Sequence, residues 1–100
     1  MSLTANQTLG RVIRPLRTRD RSLYWQIRRA ATSLVLNIAE GNNRHGQDRR
    51  HHFRIAAGSA AEVHAGLRLT VAWGDLSSDA IAPALESLDA VLKMLHPFTR

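Results

Sequence analysis

Cysteine is absent from the 100 residues, and aromatic side chains make up only 5% of them. The first absence excludes a disulfide framework and any thiolate metal site. The second leaves a core of aliphatic side chains and alanine, which favours helices over sheets. No apolar run approaches the roughly 18 residues that cross a bilayer, and the first residues lack the basic-then-apolar pattern of a secretion signal. These absences predict one soluble, cytoplasmic, all-helical domain over residues 1–100.

Acidic residues are scarce in the first half of the chain. Residues 1–54 contain eleven arginines against three carboxylates, a net charge of +8, whereas residues 55–100 carry a net charge of −2. Arginine binds phosphate and carboxylate groups through a planar fork of N–H donors. The asymmetry is typical of a protein that binds nucleic acid or an acidic partner. It also fits a solvated basic surface, or a basic face that meets the acidic half of a second subunit.

Apolar periodicity predicts four helices, over about residues 4–18, 21–40, 48–73 and 78–96. Pro15 predicts a kink or an interruption of the first, and Gly41 is expected to end the second in a left-handed conformation. Short polar side chains before each helix predict the N-caps, which are Thr4, Asp20 or Ser22, Asp48, and Ser77, Ser78 or Asp79. Because the connections between successive helices are short, the expected fold is an antiparallel up-down four-helix bundle.

The second and third predicted helices have apolar residues on more than one side. On the second helix, Trp25 and Leu36 lie across a polar stripe from the main apolar face. The third helix carries a second apolar face that ends at Trp73 and includes Ile55 and Leu69. One small bundle cannot cover all of these faces, so the pattern predicts a homo-oligomer.

The polar stripe of the second helix predicts a structural network of side chains. Its expected members are Gln26, Arg29, Ser33, Asn37 and Glu40, joined by Glu62 from the third helix. Glu62 shares a face with apolar residues, and a buried carboxylate needs a partner. We therefore expect Glu62 to pair with Arg29, with Ser33 or Asn37 completing the hydrogen bonds. The alternative is a solvent-exposed Glu62 that contributes little to stability.

A cluster of arginines lies between the second and third predicted helices and is the best candidate for a nucleic-acid contact. Its members are Arg44, Arg49, Arg50 and Arg54. The amides at the start of the third helix add positive potential there. Phe53 is the only aromatic residue nearby and belongs to the apolar face, so stacking on bases is not expected at this cluster. Sequence-independent contact with the phosphate backbone is the favoured mode.

Other chemistries fit the sequence less well. His45, Asp48, His51 and His52 are close enough in sequence for a zinc site, but a capping role for Asp48 is simpler, so no metal or cofactor is expected. Glu40 and Glu62 as an acid/base pair lack any accompanying nucleophile motif, so an enzyme is not expected. A helix-turn-helix reader is disfavoured by a predicted loop of seven residues, 41–47, because that motif has a turn of three or four.

Two segments resemble one known family. The segment Gln26–Gly41, with the sequence QIRRAATSLVLNIAEG, and the segment Phe53–Glu62, with the sequence FRIAAGSAAE, are similar in order and spacing to a bacterial four-helix bundle family, the 23S rRNA intervening-sequence proteins. The resemblance covers about residues 20–95, and the first helix departs from that of commoner members. It implies a four-helix bundle and a relation to the accessory protein of diversity-generating retroelements. That protein is a homopentamer that associates with nucleic acid and a reverse transcriptase.

These observations lead to two functional hypotheses. The first is a non-enzymatic, homo-oligomeric bundle that serves as an accessory module in a nucleic-acid or ribonucleoprotein complex, a pentamer if the resemblance holds. The second is a structural adaptor whose basic surface meets an acidic protein and which binds no nucleic acid.

Overall fold

In the computed structural model, which describes residues 1–99, every regular element is a helix. The helices in chain order are α1 (Leu3–Ile13), α2 (Leu16–Arg19), α3 (Arg21–Asn42), α4 (Gly46–Ala72) and α5 (Ser78–Thr99). The prediction of an all-helical fold is confirmed for this part of the chain, and the second to fourth predicted helices correspond to α3, α4 and α5. Within residues 1–99, no helix combines the length and apolarity needed to traverse a membrane.

The first predicted helix is divided at Pro15, as its sequence indicates. α1 begins after Ser2, whose hydroxyl accepts a hydrogen bond from the Ala5 amide at 3.0 Å, so Ser2 and not Thr4 is the N-cap. Pro15 has no N–H to donate, and α1 stops two residues before it. The chain resumes as the short α2, which places Leu16 in the core.

α3 begins as predicted but ends later than predicted. The carboxylate of Asp20 accepts a hydrogen bond from the Leu23 amide at 3.0 Å and caps the helix. Gly41 does not terminate α3, because it lies inside the helix, buried against the ring of Phe53. A β-carbon at Gly41 would overlap that ring, so close packing accounts for the glycine. The left-handed glycine in this region is Gly46, with φ of 58°.

The connection between α3 and α4 is three residues long, from 43 to 45, where the sequence predicted seven. Asp48 lies in the first turn of α4 and is not its N-cap, since that position is occupied by His45, without a side-chain hydrogen bond. The argument from loop length against a helix-turn-helix reader is therefore wrong. The long, side-by-side packing of α3 and α4 still differs from the steep crossing of that motif.

α4 packs against both α3 and α5, and it runs alongside α3 in the opposite direction. Gly41 of α3 meets Phe53 near the turn, Ser33 meets Ser59 halfway along, and Ile27 meets Gly66 towards the other end. The apolar face of α4 that contains Phe53 is buried in the hydrophobic core, and its other buried members are Ala56, Ala60, Val63 and Leu67. α5 is capped by the Ser77 hydroxyl, which accepts a hydrogen bond from the Ala80 amide at 3.1 Å.

α1 covers one end of this core through Leu9 and Ile13, and packs against α5 and α3. Several large apolar side chains remain on the surface of the chain. They are Leu3, Trp25, Leu36, Ile55, Leu69, Trp73 and Met94.

Candidate nucleic-acid interface

The four arginines singled out by the sequence lie together around the turn from α3 to α4, but their surroundings differ. Arg44 sits between Glu40 and Asp48, and each carboxylate lies 3.3 Å from one of its terminal nitrogens. Because all three side chains are about half exposed, these pairs stabilise the turn only weakly. They do lower the local charge, so the patch of four arginines and two carboxylates has a net charge of +2.

Arg49 acts as a clamp on the end of α3. Its Nε donates hydrogen bonds to the carbonyl oxygens of Gly41 at 3.0 Å and Arg44 at 2.9 Å, and a terminal nitrogen reaches the carbonyl of Asn42 at 3.5 Å. A cation at a helix C-terminus also interacts favourably with the helix dipole. The structure thus gives Arg49 a folding role that the sequence did not predict.

Arg54 and Arg50 complete the patch. The Nε of Arg54 donates a hydrogen bond to the carbonyl oxygen of Phe98 at 3.2 Å and so ties α4 to the end of α5. Arg50 is half-buried, and within residues 1–99 its guanidinium makes no hydrogen bond or ion pair. Of the four arginines, Arg50 is the one whose guanidinium is not engaged by another residue in this part of the chain.

The polar stripe forms a network with α4 that includes Ser33 and Asn37, as predicted, but its partners on α4 are Ser59 and His52 instead of Glu62. The Ser59 hydroxyl donates to the Ser33 hydroxyl at 2.8 Å, and the Asn37 side-chain amide donates to the same oxygen at 3.2 Å. His52 Nδ1 lies 3.0 Å from Asn37 Oδ1, and since that oxygen only accepts, Nδ1 carries the proton. Ser59 and His52 are seven residues apart on one face of α4, a spacing that could have revealed them in the sequence.

The predicted pair of Glu62 and Arg29 is not formed within the chain. Both side chains are exposed, and the ion pairs found among residues 1–99 do not join them. The face of α4 that carries Glu62 points away from the core, since Ile55 and Leu69 on it are also exposed. Within a single chain a carboxylate on this face is hydrated, so burial in one chain does not force it to find a cation.

The remaining predicted members of the network are also separate from it. Glu40 contacts Arg44 instead, and the side chains of Gln26 and Arg29 make no hydrogen bond in the described chain. The histidines near the turn do not gather around a common centre, and no group of three or more histidine, aspartate or glutamate side chains in residues 1–99 is arranged to hold a metal ion.

A second arginine-rich region, which the site prediction missed, lies between α1, α2 and α3. A groove of about 680 Å³ there is lined by four arginines and by no carboxylate. These arginines are Arg11, Arg14, Arg17 and Arg28. The guanidinium carbons of Arg17 and Arg28 each lie 5.9 Å from the ring centroid of the buried Tyr24, a cation–π distance. Arg11, Arg14 and Arg17 recur every three residues, so their helical spacing could have revealed part of this region. The contribution of Arg28 from α3 depends on packing between segments and could not be read from the spacing.

The sequence model of the 23S rRNA-intervening sequence protein family matches residues 6–97. The chain belongs to this family. The match begins within α1 and ends within α5, so it includes both arginine-rich regions and all of the polar network. A search of curated proteins and a search of solved structures each found no match. The resemblance of the two sequence segments to the 23S rRNA-intervening sequence proteins is confirmed, while the relation to the accessory protein of retroelements stays a prediction.

Proposed function

We propose that this protein is a non-catalytic RNA-binding accessory module that acts as a homo-oligomer and contacts RNA mainly through the phosphate backbone. Each copy is proposed to be an up-down four-helix bundle in which α1 and α2 together form the first helix. The family resemblance suggests five copies. The family name, 23S rRNA-intervening sequence protein, supports RNA as the partner.

The segregation of charge is the observation that carries this proposal. Most arginines of the first half are exposed, while the carboxylates are mainly in α5, on α4 and in the connection between them. A surface of this kind attracts a polyanion over distances of about a Debye length, near 8 Å at physiological salt. The release of counterions from the phosphates then supplies most of the sequence-independent affinity.

The turn between α3 and α4 supplies one set of phosphate contacts. Arg50 has a guanidinium without a partner in the described chain, and Arg54 keeps its terminal nitrogens after its Nε binds the Phe98 carbonyl. Arg49 contributes positive charge while it holds the end of α3. Arg44 contributes less, because two carboxylates offset its charge.

Salt-dependent filter binding tests the proposal. Binding to single-stranded RNA is expected to weaken linearly in a plot of log K against log salt, with a slope of about −0.7 for each phosphate neutralised. Arg50→Gln is expected to weaken binding to all sequences alike and to make the slope shallower by up to about 0.7. Lys93→Gln makes the same change of charge on the acidic α5 and is expected to leave the slope unchanged.

Two results would contradict the proposal. One is that the Arg50→Gln and Lys93→Gln variants have the same RNA affinity and the same salt slope, which would mean that the turn between α3 and α4 does not contact RNA. The other is no binding of RNA, DNA or heparin at about 50 mM salt, where electrostatic contacts are strongest. The second result would favour the alternative function, an adaptor that meets an acidic protein.

A further inference from the structure

The exposed face of α3 carries a tryptophan surrounded by arginines. Trp25 has one of the bulkiest apolar side chains in the protein, and yet the residue is 47% exposed. Arg21, Arg28 and Arg29 lie four residues before it, three after it and four after it, which places all of them one helical turn away. Each of these arginines is exposed. The indole is therefore the centre of a cationic surface on α3.

Neighbouring side chains fix the orientation of this indole. The ring of Tyr24 is buried and stands nearly perpendicular to the Trp25 ring, at 81° and 5.1 Å between centroids. The guanidinium of Arg28 lies 5.6 Å from the centroid of Trp25 and donates a hydrogen bond to the Tyr24 hydroxyl at 3.2 Å. Arg28 is thereby held between the two rings, while Trp25 remains 47% exposed.

This part of the sequence has few carboxylates that could neutralise the arginines around Trp25. Residues 1–39 contain seven arginines and one acidic residue, Asp20, which is engaged in capping α3. None of the ion pairs within residues 1–99 involves Arg17, Arg28 or Arg29. The adjoining groove between α1 and α3 is likewise lined by arginines without a carboxylate. This charge complements a polyanion, and it opposes contact with the same face of a second copy.

We propose that Trp25 stacks on an unpaired base of single-stranded nucleic acid, while Arg28, Arg29 and Arg17 bind the phosphates on either side. An exposed aromatic ring accepts any base, because every base has a π-face, and arginines beside it follow the backbone. The groove between α1 and α3 receives the continuing strand. This inference rests on the proposed RNA-binding function and adds to it a preference for unpaired nucleotides, which the turn between α3 and α4 does not provide.

Tryptophan fluorescence reports on the site directly. In a Trp73→Phe background Trp25 is the sole tryptophan, and its emission is expected to fall saturably on addition of an unstructured RNA oligonucleotide. The same RNA in a duplex is expected to quench it little, because its bases are already stacked. A DNA oligonucleotide of the same sequence is the further arm, and it is expected to quench as well, since stacking needs no 2′-hydroxyl.

Affinity measurements on variants complete the test. Trp25→Ala is expected to weaken binding of the single strand by about 5- to 150-fold, the range measured for loss of a stacked base. Trp25→Phe keeps an aromatic face and is expected to lose less, which also guards against a folding defect. Trp73→Ala is the matched control, because it removes an exposed indole that follows Leu69 and Thr70 instead of arginines. It is expected to leave the affinity within about twofold.

Three outcomes would overturn the inference. If RNA binds with the expected salt dependence but leaves both Trp25 emission and the affinity of Trp25→Ala unchanged, the stacking site is absent and the proposed function stands. If Trp25→Ala lowers the mass of the particle in light scattering and RNA does not quench the indole, Trp25 lies between copies. If the wild-type protein binds no nucleic acid at all, the proposed function and the inference fail together.

Discussion

Two glycines of the same chain have opposite structural settings, and alanine substitution distinguishes them. A β-carbon at Gly41 would overlap the Phe53 ring, whereas one at Gly58, in the middle of α4, would meet nothing within 4 Å. Gly41→Ala is expected to lower the free energy of unfolding by about 1–3 kcal/mol, the usual cost of overpacking a core. Gly58→Ala is expected to raise it by about 0.5–1 kcal/mol, because alanine loses less backbone entropy in a helix.

Urea denaturation monitored by circular dichroism measures both changes. The two midpoints should move in opposite directions from that of the wild type, with similar slopes. Equal shifts of the same sign would mean that the contact with Phe53 does not determine the cost of adding a β-carbon at Gly41.

The stability of the α3–α4 pair depends on one arginine, Arg49, at the turn between the two helices. Arg49→Met keeps the length of the side chain but removes the donors that bind the carbonyls of Gly41 and Arg44. The free energy of unfolding is expected to fall by about 1–2 kcal/mol, since charge-assisted hydrogen bonds and the helix dipole are lost together. Arg49→Lys should recover part of this loss, because it restores the charge without the planar fork.

The neighbouring Arg50 provides the control for this element. Arg50→Met removes the same charge from a side chain without a hydrogen bond in residues 1–99, so its unfolding free energy is expected to stay within about 0.5 kcal/mol of wild type. Thermal and urea unfolding of the two methionine variants, compared side by side, would disprove the role of Arg49 if their stabilities were equal.

The sequence was a good guide to elements whose boundaries depend on local chemistry. Asp20 and Ser77 cap their helices with their own side chains, and Pro15 interrupts the backbone ladder by its own covalent structure. The buried face of α4 that contains Phe53 repeats at helical spacing in the sequence, so local periodicity is enough to indicate it. The end of α3 could not be predicted in this way. Glycine favours helix ends in general, and only the tertiary contact with Phe53 shows that Gly41 leaves space for packing inside the helix and is not a terminator.

Contacts between distant segments account for the errors in the candidate site. The role of Arg49 was missed because the carbonyl groups of Gly41 and Asn42 that accept its hydrogen bonds belong to the end of α3, which was predicted to stop at residue 40. Glu62 was assigned to a buried face because its neighbours at helical spacing are apolar. Periodicity shows that a face is apolar and leaves open whether anything within one chain covers it.

For the whole molecule, we expect other copies to cover the face of α4 that carries Ile55, Glu62 and Leu69. Ile55 and Leu69 are 39% and 40% exposed there, and Ala65 between them has a small side chain that permits close approach. Light scattering at micromolar concentration is expected to give several times the mass of one chain, and five times if the family resemblance extends to the assembly.

A charged substitution locates the contact. Leu69→Asp is expected to lower the mass, because burying a lone carboxylate between copies costs several kcal/mol. Leu3→Asp introduces the same charge at the start of α1, on the most exposed of the large apolar residues, and is expected to leave the mass unchanged. A wild-type protein that is monomeric at this concentration would refute the assembly.

The three-residue connection between α3 and α4 has a consequence for how the chain acquires its structure during synthesis. Joining two helices through so short a loop costs little chain entropy, whereas α1 contacts α5 only after a loop of more than sixty residues has closed. We therefore expect the α3–α4 hairpin to form as soon as it leaves the ribosome and α5 to join it next. α1 can complete its packing only after α5 has been synthesised, so the side of α1 that contacts α5 stays exposed to solvent until then.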